Sequence, residues 1–131
     1  MVKDNISNLI IKIKNGSMAG KSTITAPYSK MTDAILVLLQ KEGYIKSFSK
    51  VGKGLIKTVD IELAYDDTNT PKVTDVYRVS KLSKRVYTPS KLIKPVRNGY
   101  GTLVLSTPKG ILNQTDAKKM NVGGEVLFKI W

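Results

Sequence analysis

The sequence predicts an α+β fold in two halves, and three observations carry that expectation. Apolar residues recur at helical spacing in two early segments, and they alternate with a period of two in segments that follow. Between the first half and a second, sheet-rich half lies Asp66-Asp67-Thr68-Asn69-Thr70-Pro71, a polar stretch that offers nothing to a core. A boundary near residues 66–72 therefore separates an N-terminal helix-strand-helix-strand-strand domain, residues 1–72, from a C-terminal domain of strands and short helices, residues 73–131, with the first packed on the second. The length of 131 residues suits one domain or two small ones sharing an interface.

In the first segment Ile6, Leu9, Ile10 and Ile13 fall on one helical face, with Asp4 or Asn5 to cap the first turn and Asn15-Gly16 to end the last. Ser22 to Ala26 alternates as a short strand before Pro27. Ser29 then caps a second helix, whose apolar set is Met31, Ala34, Ile35, Leu38 and Leu39 and whose stop signal is Gly43. Tyr44 to Val51 and Leu55 to Tyr65 form antiparallel strands joined at Gly52-Lys53-Gly54, the second alternating through Val59, Ile61, Leu63 and Tyr65. Beyond the boundary, Val73 to Val79, Arg85 to Thr88 and Thr102 to Ser106 have strand character, and Ser90 to Lys94 forms a capped helical turn ended near Pro95. After Thr107-Pro108-Lys109-Gly110 the expected elements are a helix over Asp116 to Met120 capped by Thr115, then a terminal strand, Glu125 to Trp131, entered through Gly123-Gly124. No internal repeat or low-complexity tract interrupts the series.

Charge narrows the function. The chain holds 22 Lys and Arg against 10 Asp and Glu, a formal charge of +12, more than solubility requires and suited to a polyanionic partner. Residues 1–75 carry 11 Lys and 8 acids, a balance of +3, whereas residues 76–131 carry 8 Lys, 3 Arg and 2 acids, a balance of +9. The C-terminal half therefore dominates the field. No segment approaches the roughly 20 apolar residues of a membrane span, and Met1-Val2-Lys3-Asp4 lacks a signal-peptide core, so a soluble chain that stays where it is made is expected.

With no histidine and no cysteine, the usual general base, thiol nucleophile and transition-metal ligands are missing, and no enzyme, metal or cofactor is expected. Asp60 and Glu62 share a strand face and could in principle hold Mg²⁺, but such a pair is more often solvated; Asp66-Asp67 suits local turn hydrogen bonding. Gly99-Tyr100-Gly101 and Thr107-Pro108-Lys109-Gly110 have neither Walker nor dinucleotide spacing.

The sharper signal is Arg78, Ser80, Lys81, Ser83, Lys84, Arg85 and Tyr87, which gathers cations, hydroxyls and an aromatic ring into ten residues, some on a common face if the segment alternates. Phosphate contact plus base stacking is the chemical expectation, against the alternative of an edge strand blunted with lysine. Ser106-Thr107-Pro108-Lys109-Gly110 is small, hydroxylated and cationic, suited to close approach of backbone to a nucleic-acid groove or to an ordinary turn. In the first helix Lys12 and Lys14 flank Ile13, where a solvated face is the plain alternative.

Gly101-Thr102-Leu103-Val104-Leu105-Ser106-Thr107-Pro108-Lys109-Gly110, with Ala117-Lys118-Lys119, Val122-Gly123-Gly124-Glu125-Val126-Leu127 and Trp131, closely resembles small-subunit ribosomal protein eight of the bacterial type. Ile11-Lys12-Ile13-Lys14-Asn15, Pro27-Tyr28-Ser29-Lys30, Lys41-Glu42-Gly43-Tyr44-Ile45, Arg78-Val79-Ser80-Lys81 and Arg85-Val86-Tyr87 extend the resemblance over nearly the whole chain. It implies a structural protein that binds the central domain of small-subunit ribosomal RNA at an irregular helix, mainly through its C-terminal domain, and takes part in assembly beside other small-subunit proteins. Some relatives also repress their own operon's messenger RNA. By motif, the resemblance places Ser106, Thr107, Lys109 and Gly110 at the RNA core, Tyr87 and Glu125 beside it, and Lys12, Lys14 and Lys30 on phosphates. Arg78, Ser80, Lys81, Lys84 and Arg85 complete the expected RNA-binding set. The implied location is the small ribosomal subunit in a cytoplasm, bacterial by preference, with an organelle ribosome as the alternative. Leu82-Ser83 stands where Pro-Gly is common in that family, and Pro108 replaces its usual Ser, removing a hydroxyl and a backbone donor. By charge alone, a free-standing duplex-RNA regulator or a nucleic-acid-processing enzyme on a similar fold would look alike.

Overall fold

The computed structural model describes residues 5–52, 57–94 and 101–131. In chain order these form helix α1 (Asn5–Met18), strand β1 (Thr23–Pro27), helix α2 (Lys30–Lys41), strands β2 (Ile45–Val51), β3 (Thr58–Leu63), β4 (Val76–Arg78) and β5 (Tyr87–Thr88), and a 3-10 turn (Ser90–Leu92). Strands β6 (Thr102–Thr107) and β7 (Gly110–Leu112), helix α3 (Gln114–Lys119) and strand β8 (Gly124–Ile130) follow. The fold is α+β, and the chain divides into two compact units, Met1–Thr74 and Asp75–Trp131. Asp4, Lys53-Gly54, Leu55, Ile56, Pro95, Arg97 and Gly99-Tyr100, which entered the sequence expectations, lie outside the described residues.

In the first unit β3 is the central strand of an antiparallel sheet ordered β1-β3-β2. One face carries the alternating set Val59, Ile61 and Leu63 with Ala26 and Ile45, all buried, and α1 and α2 cover it with Leu9, Ile10, Ile13, Ile35, Leu36 and Leu39. The opposite face is polar, because register aligns Thr25 with Asp60 and Ser47 with Glu62. Ser29 caps α2 in a capping box with Thr32, so two donors at the helix start are satisfied reciprocally.

Two expectations for the helices need correction. Asn15-Gly16 does not end α1, which continues to Met18. Gly16 is buried against β1 and β3, and a Cβ there would stand 2.6 Å from Ile24 Cγ2 and 3.0 Å from Leu63 Cδ1, so its glycine serves close packing. The stop is Gly20, at φ +71°, where Lys21 N–H donates to Gly16 C=O and Gly20 N–H to Ser17 C=O in a Schellman pattern. In α2, Met31 is exposed and Leu36 takes its place in the core. The polar stretch after β3 is an ordered turn, with Asp66 Oδ1 accepting from Thr68 N–H, Thr70 N–H and the Thr68 hydroxyl at 2.7–2.9 Å.

The second unit is an antiparallel sheet ordered β4-β8-β6-β7, with β5 also paired to β8. Ile93, Leu103, Leu105, Ala117 and Val126 form its buried cluster, flanked by Val79, Leu112, Val122 and Trp131. The strands expected at Val73–Val79 and Arg85–Thr88 are shorter, and β7 is an addition that makes Thr107–Gly110 the turn of a hairpin. Asn113, not Thr115, caps α3: its Oδ1 accepts from Asp116 N–H at 2.7 Å, and Thr115 lies within the helix. Gln114 clamps the start of β6, accepting from Leu103 N–H and donating to Gly101 C=O.

Candidate nucleic-acid interface

Strand pairing in the second unit joins residues that the sequence keeps far apart. Glu125 of β8 stands opposite Tyr87 of β5 on one side and Ser106 of β6 on the other, and Ser106 in turn faces Ile111 of β7. Directly opposed residues share a sheet face about 5 Å apart, so Tyr87, Glu125 and Ser106 form one row. Tyr87 is 69% exposed, and Ser106 is partly exposed with no hydroxyl partner among the described residues. Arg85, two residues before Tyr87, reaches Glu125 Oε2 at 3.0 Å.

Backbone crowding holds the row in place. A Cβ on Gly124 would lie 2.1 Å from Ser106 C=O, and one on Gly123 would lie 2.2 Å from Thr88 C=O. Only glycine lets β8 enter between β5 and β6 at this distance. These two glycines were not among the expected site residues; the doubled glycine before a strand was the signal available. Asn113 and Gln114, which anchor α3 beside β6, gave no comparable signal.

The hairpin next to the row is internally braced. Thr107 Oγ1 donates to Gly110 C=O at 2.8 Å and accepts from Lys109 N–H at 3.1 Å. Pro108 occupies the first central position of the turn, where its fixed φ is favourable and no strand bond is lost. Gly110 has φ +112°, and Lys109 is exposed.

The segment Arg78–Tyr87 is not one alternating strand. It folds back at Leu82-Ser83, where Lys81 and Lys84 exchange backbone hydrogen bonds of 2.8 and 3.0 Å, leaving both ammonium groups exposed. Ser80 is fully buried; its hydroxyl donates to Val86 C=O and accepts from Val86 N–H, so it braces the turn from inside and has no surface to offer a ligand. Arg78 is partly buried, with Nη1 donating to Leu127 C=O at 2.6 Å. All eight lysines of residues 76–131 are exposed.

The first unit holds the remaining candidates. Lys12 is exposed on α1 and donates to Thr25 C=O at 3.1 Å; Lys14 is partly buried on the same helix; Lys30 is the exposed first residue of α2. The carboxylates weighed for a cation are engaged within the sheet. Asp60 accepts from the Thr25 hydroxyl, and Glu62 accepts from the Ser47 hydroxyl and pairs with Lys46 at 3.3 Å. Those two partners, Ser47 first, hold the Glu62 carboxyl below its ordinary range. Among the described residues no three Asp or Glu side chains cluster to hold a metal ion, and no helix is long and apolar enough to cross a membrane.

A family model described as ribosomal protein S8 matches residues 4–131. Small ribosomal subunit protein uS8 of Nitratiruptor sp. is 38% identical over the full length of both chains. The corresponding proteins of Caulobacter vibrioides and Mycoplasmopsis agalactiae are 41% and 42% identical, each pairing covering 99% of this chain and 98% of the relative.

Proposed function

The chain belongs to the ribosomal protein S8 family, and from that premise we propose that it is a structural constituent of the small ribosomal subunit that binds ribosomal RNA of the central domain and supports subunit assembly. It is not an enzyme. The observation that carries the RNA reading is the row Tyr87–Glu125–Ser106 beside the braced hairpin Thr107–Gly110, in the part of the chain with a balance of +9. An exposed ring offers a stacking face, a free hydroxyl offers both donor and acceptor, and Lys81, Lys84 and Lys109 supply phosphate neutralisation around them.

Duplex RNA hides the major-groove edges of its bases in a deep narrow groove and shows 2′-hydroxyls along its shallow minor groove whatever the sequence, so a surface of this kind selects a helix whose irregularities unstack and expose bases. Lys12, Lys14 and Lys30 are proposed to add phosphate contacts from the first unit, and neighbouring small-subunit proteins to complete the surroundings. Any RNA that reproduces the irregular helix would compete for the same surface, including a segment of the protein's own operon messenger. A bacterial cytoplasm is the proposed compartment.

Two measurements test this. The native protein should sediment with the small subunit at about one copy. In competitive titration at matched salt, Tyr87→Leu should weaken binding to a central-domain transcript by about 1–3 kcal/mol while leaving a fully paired duplex of equal length nearly unaffected. Equal losses on both RNAs, or recovery of the protein only in free messenger complexes, would refute the reading.

A further inference from the structure

Glu125 is one of two carboxylates among residues 76–131, which hold eleven Lys and Arg, and it lies in the middle of the row. A surface built only to attract phosphate would place no acid there. Its side chain is 15% exposed, against 46% for Arg85, and Arg85 Nη1 meets its Oε2 at 3.0 Å. The other carboxylate oxygen, Oε1, takes no hydrogen bond from any described residue, and neither does the Ser106 hydroxyl beside it.

A carboxylate accepts hydrogen bonds and donates none. Toward a phosphate it presents repulsion, and it occupies the guanidinium that would otherwise attract one. Toward a 2′-hydroxyl or a base N–H it presents a charge-assisted acceptor. Every RNA brings phosphates and 2′-hydroxyls to this surface, but only an irregular helix brings unstacked base N–H donors to it. We infer that Glu125 is the specificity-determining residue of the surface: it withholds Arg85 from indiscriminate phosphate contact and accepts a hydrogen bond from an unstacked base N–H donor of the cognate RNA. Discrimination then comes from a repulsive element as well as an attractive one. The inference rests on the proposed RNA-binding function and deepens it.

The test is competitive titration of the full-length protein against a central-domain irregular-helix transcript and a fully paired duplex of equal length, over a salt series. Glu125→Gln keeps the side chain's volume and one acceptor oxygen while removing its charge. It should bind the duplex about two- to fivefold tighter, the scale of one partly exposed ion pair, with a salt slope steeper by up to about one unit. It should bind the irregular helix several-fold more weakly, so that discrimination falls by about tenfold. Glu125→Asp, which restores the charge, should recover the wild-type slope, and in an Arg85→Met background Glu125→Gln should give no duplex gain. Glu125→Gln shifting both RNAs by the same factor, or giving the full duplex gain without Arg85, would overturn the inference while leaving RNA binding intact. A wild-type protein that fails to prefer the irregular helix would overturn the binding function itself, before any substitution is compared.

Discussion

Replacing Gly124 by alanine would place a methyl carbon 2.1 Å from the Ser106 carbonyl oxygen, 2.9 Å from the carbonyl carbon and 3.1 Å from Thr107 Cα. Carbon approaches a carbonyl oxygen across a sheet at roughly 3.3 Å, so β6 and β8 would have to part by about 1 Å. All three obstacles are backbone, which cannot rotate aside as a side chain would. Overpacking of this kind costs about 1–3 kcal/mol, and stretching one or two ladder hydrogen bonds adds about 0.5–1.5 each. A loss of about 2–4 kcal/mol is therefore expected. Trp131 is the sole tryptophan and packs against the second unit's core, so its fluorescence in a denaturant titration reports that unit. The separation opens at the Ser106–Glu125 pair, so Gly124→Ala should also lose preference for the irregular RNA helix under conditions where it remains folded. Gly20→Ala is the control: it meets nothing within 4 Å, its φ of +71° makes it costly by about 1–2 kcal/mol, and it lies in the first unit, so preference should survive. An unchanged Trp131 transition in Gly124→Ala, or equal loss of preference in both variants, would refute the argument.

Ser80→Ala should destabilise the second unit by about 1–3 kcal/mol, because the partly buried Val86 N–H loses its acceptor, the fully buried Ser80 hydroxyl; normal stability with selective loss of RNA binding would show instead that the hydroxyl meets RNA. Lys84→Ala and Lys109→Ala should each lower the magnitude of the salt slope by about one unit or less, and Lys12→Ala by less than either, since its ammonium already holds Thr25 C=O; equal slopes in all three would remove the distinction. Asp66 has its carboxyl held below the ordinary 3.8, by the Thr68 hydroxyl first and then by Thr70 N–H. A lowered folded-state value contributes stability above the unfolded value and loses it as pH falls through the folded one. The stability gap between wild type and Asp66→Asn should accordingly be full at neutral pH and close below 3.8; a gap that persists into stronger acid would rule out this linkage.

The parts of the fold legible in the sequence are those whose signal is local. Ile6, Leu9, Ile10 and Ile13 announce α1 because a helical face is written within two turns, and Ser29 announces α2 because its cap bonds close within three residues. Gly16 misleads for a corresponding reason. A glycine near a helix end ordinarily signals a stop, and nothing nearby in sequence reveals that Ile24 and Leu63 need the space above it. Thr115 misleads in the same way, since Asn113 two residues earlier is an equally good cap and the register of β7 decides between them.

The site divides along the same line. Tyr87, Ser106, Thr107, Lys109 and Glu125 could be named from their chemistry and from motif, but their grouping depends on β8 lying between β5 and β6, a pairing between segments about 20 and 40 residues apart that alternation within each segment does not encode. The fate of each hydroxyl is less legible still. Ser80 and Ser106 look alike as small polar residues near cations, yet one is spent on Val86 inside the turn at Leu82-Ser83 and the other is left facing outward. A turn, not a composition, separates them: once Lys81 and Lys84 close the backbone, Ser80 must point inward to satisfy Val86, and the cations must point out. The same closure fixes where Arg85 leaves the turn and therefore brings it onto Glu125. Local residue types thus supply the groups an RNA surface needs, and long-range pairing decides which of them are available to it.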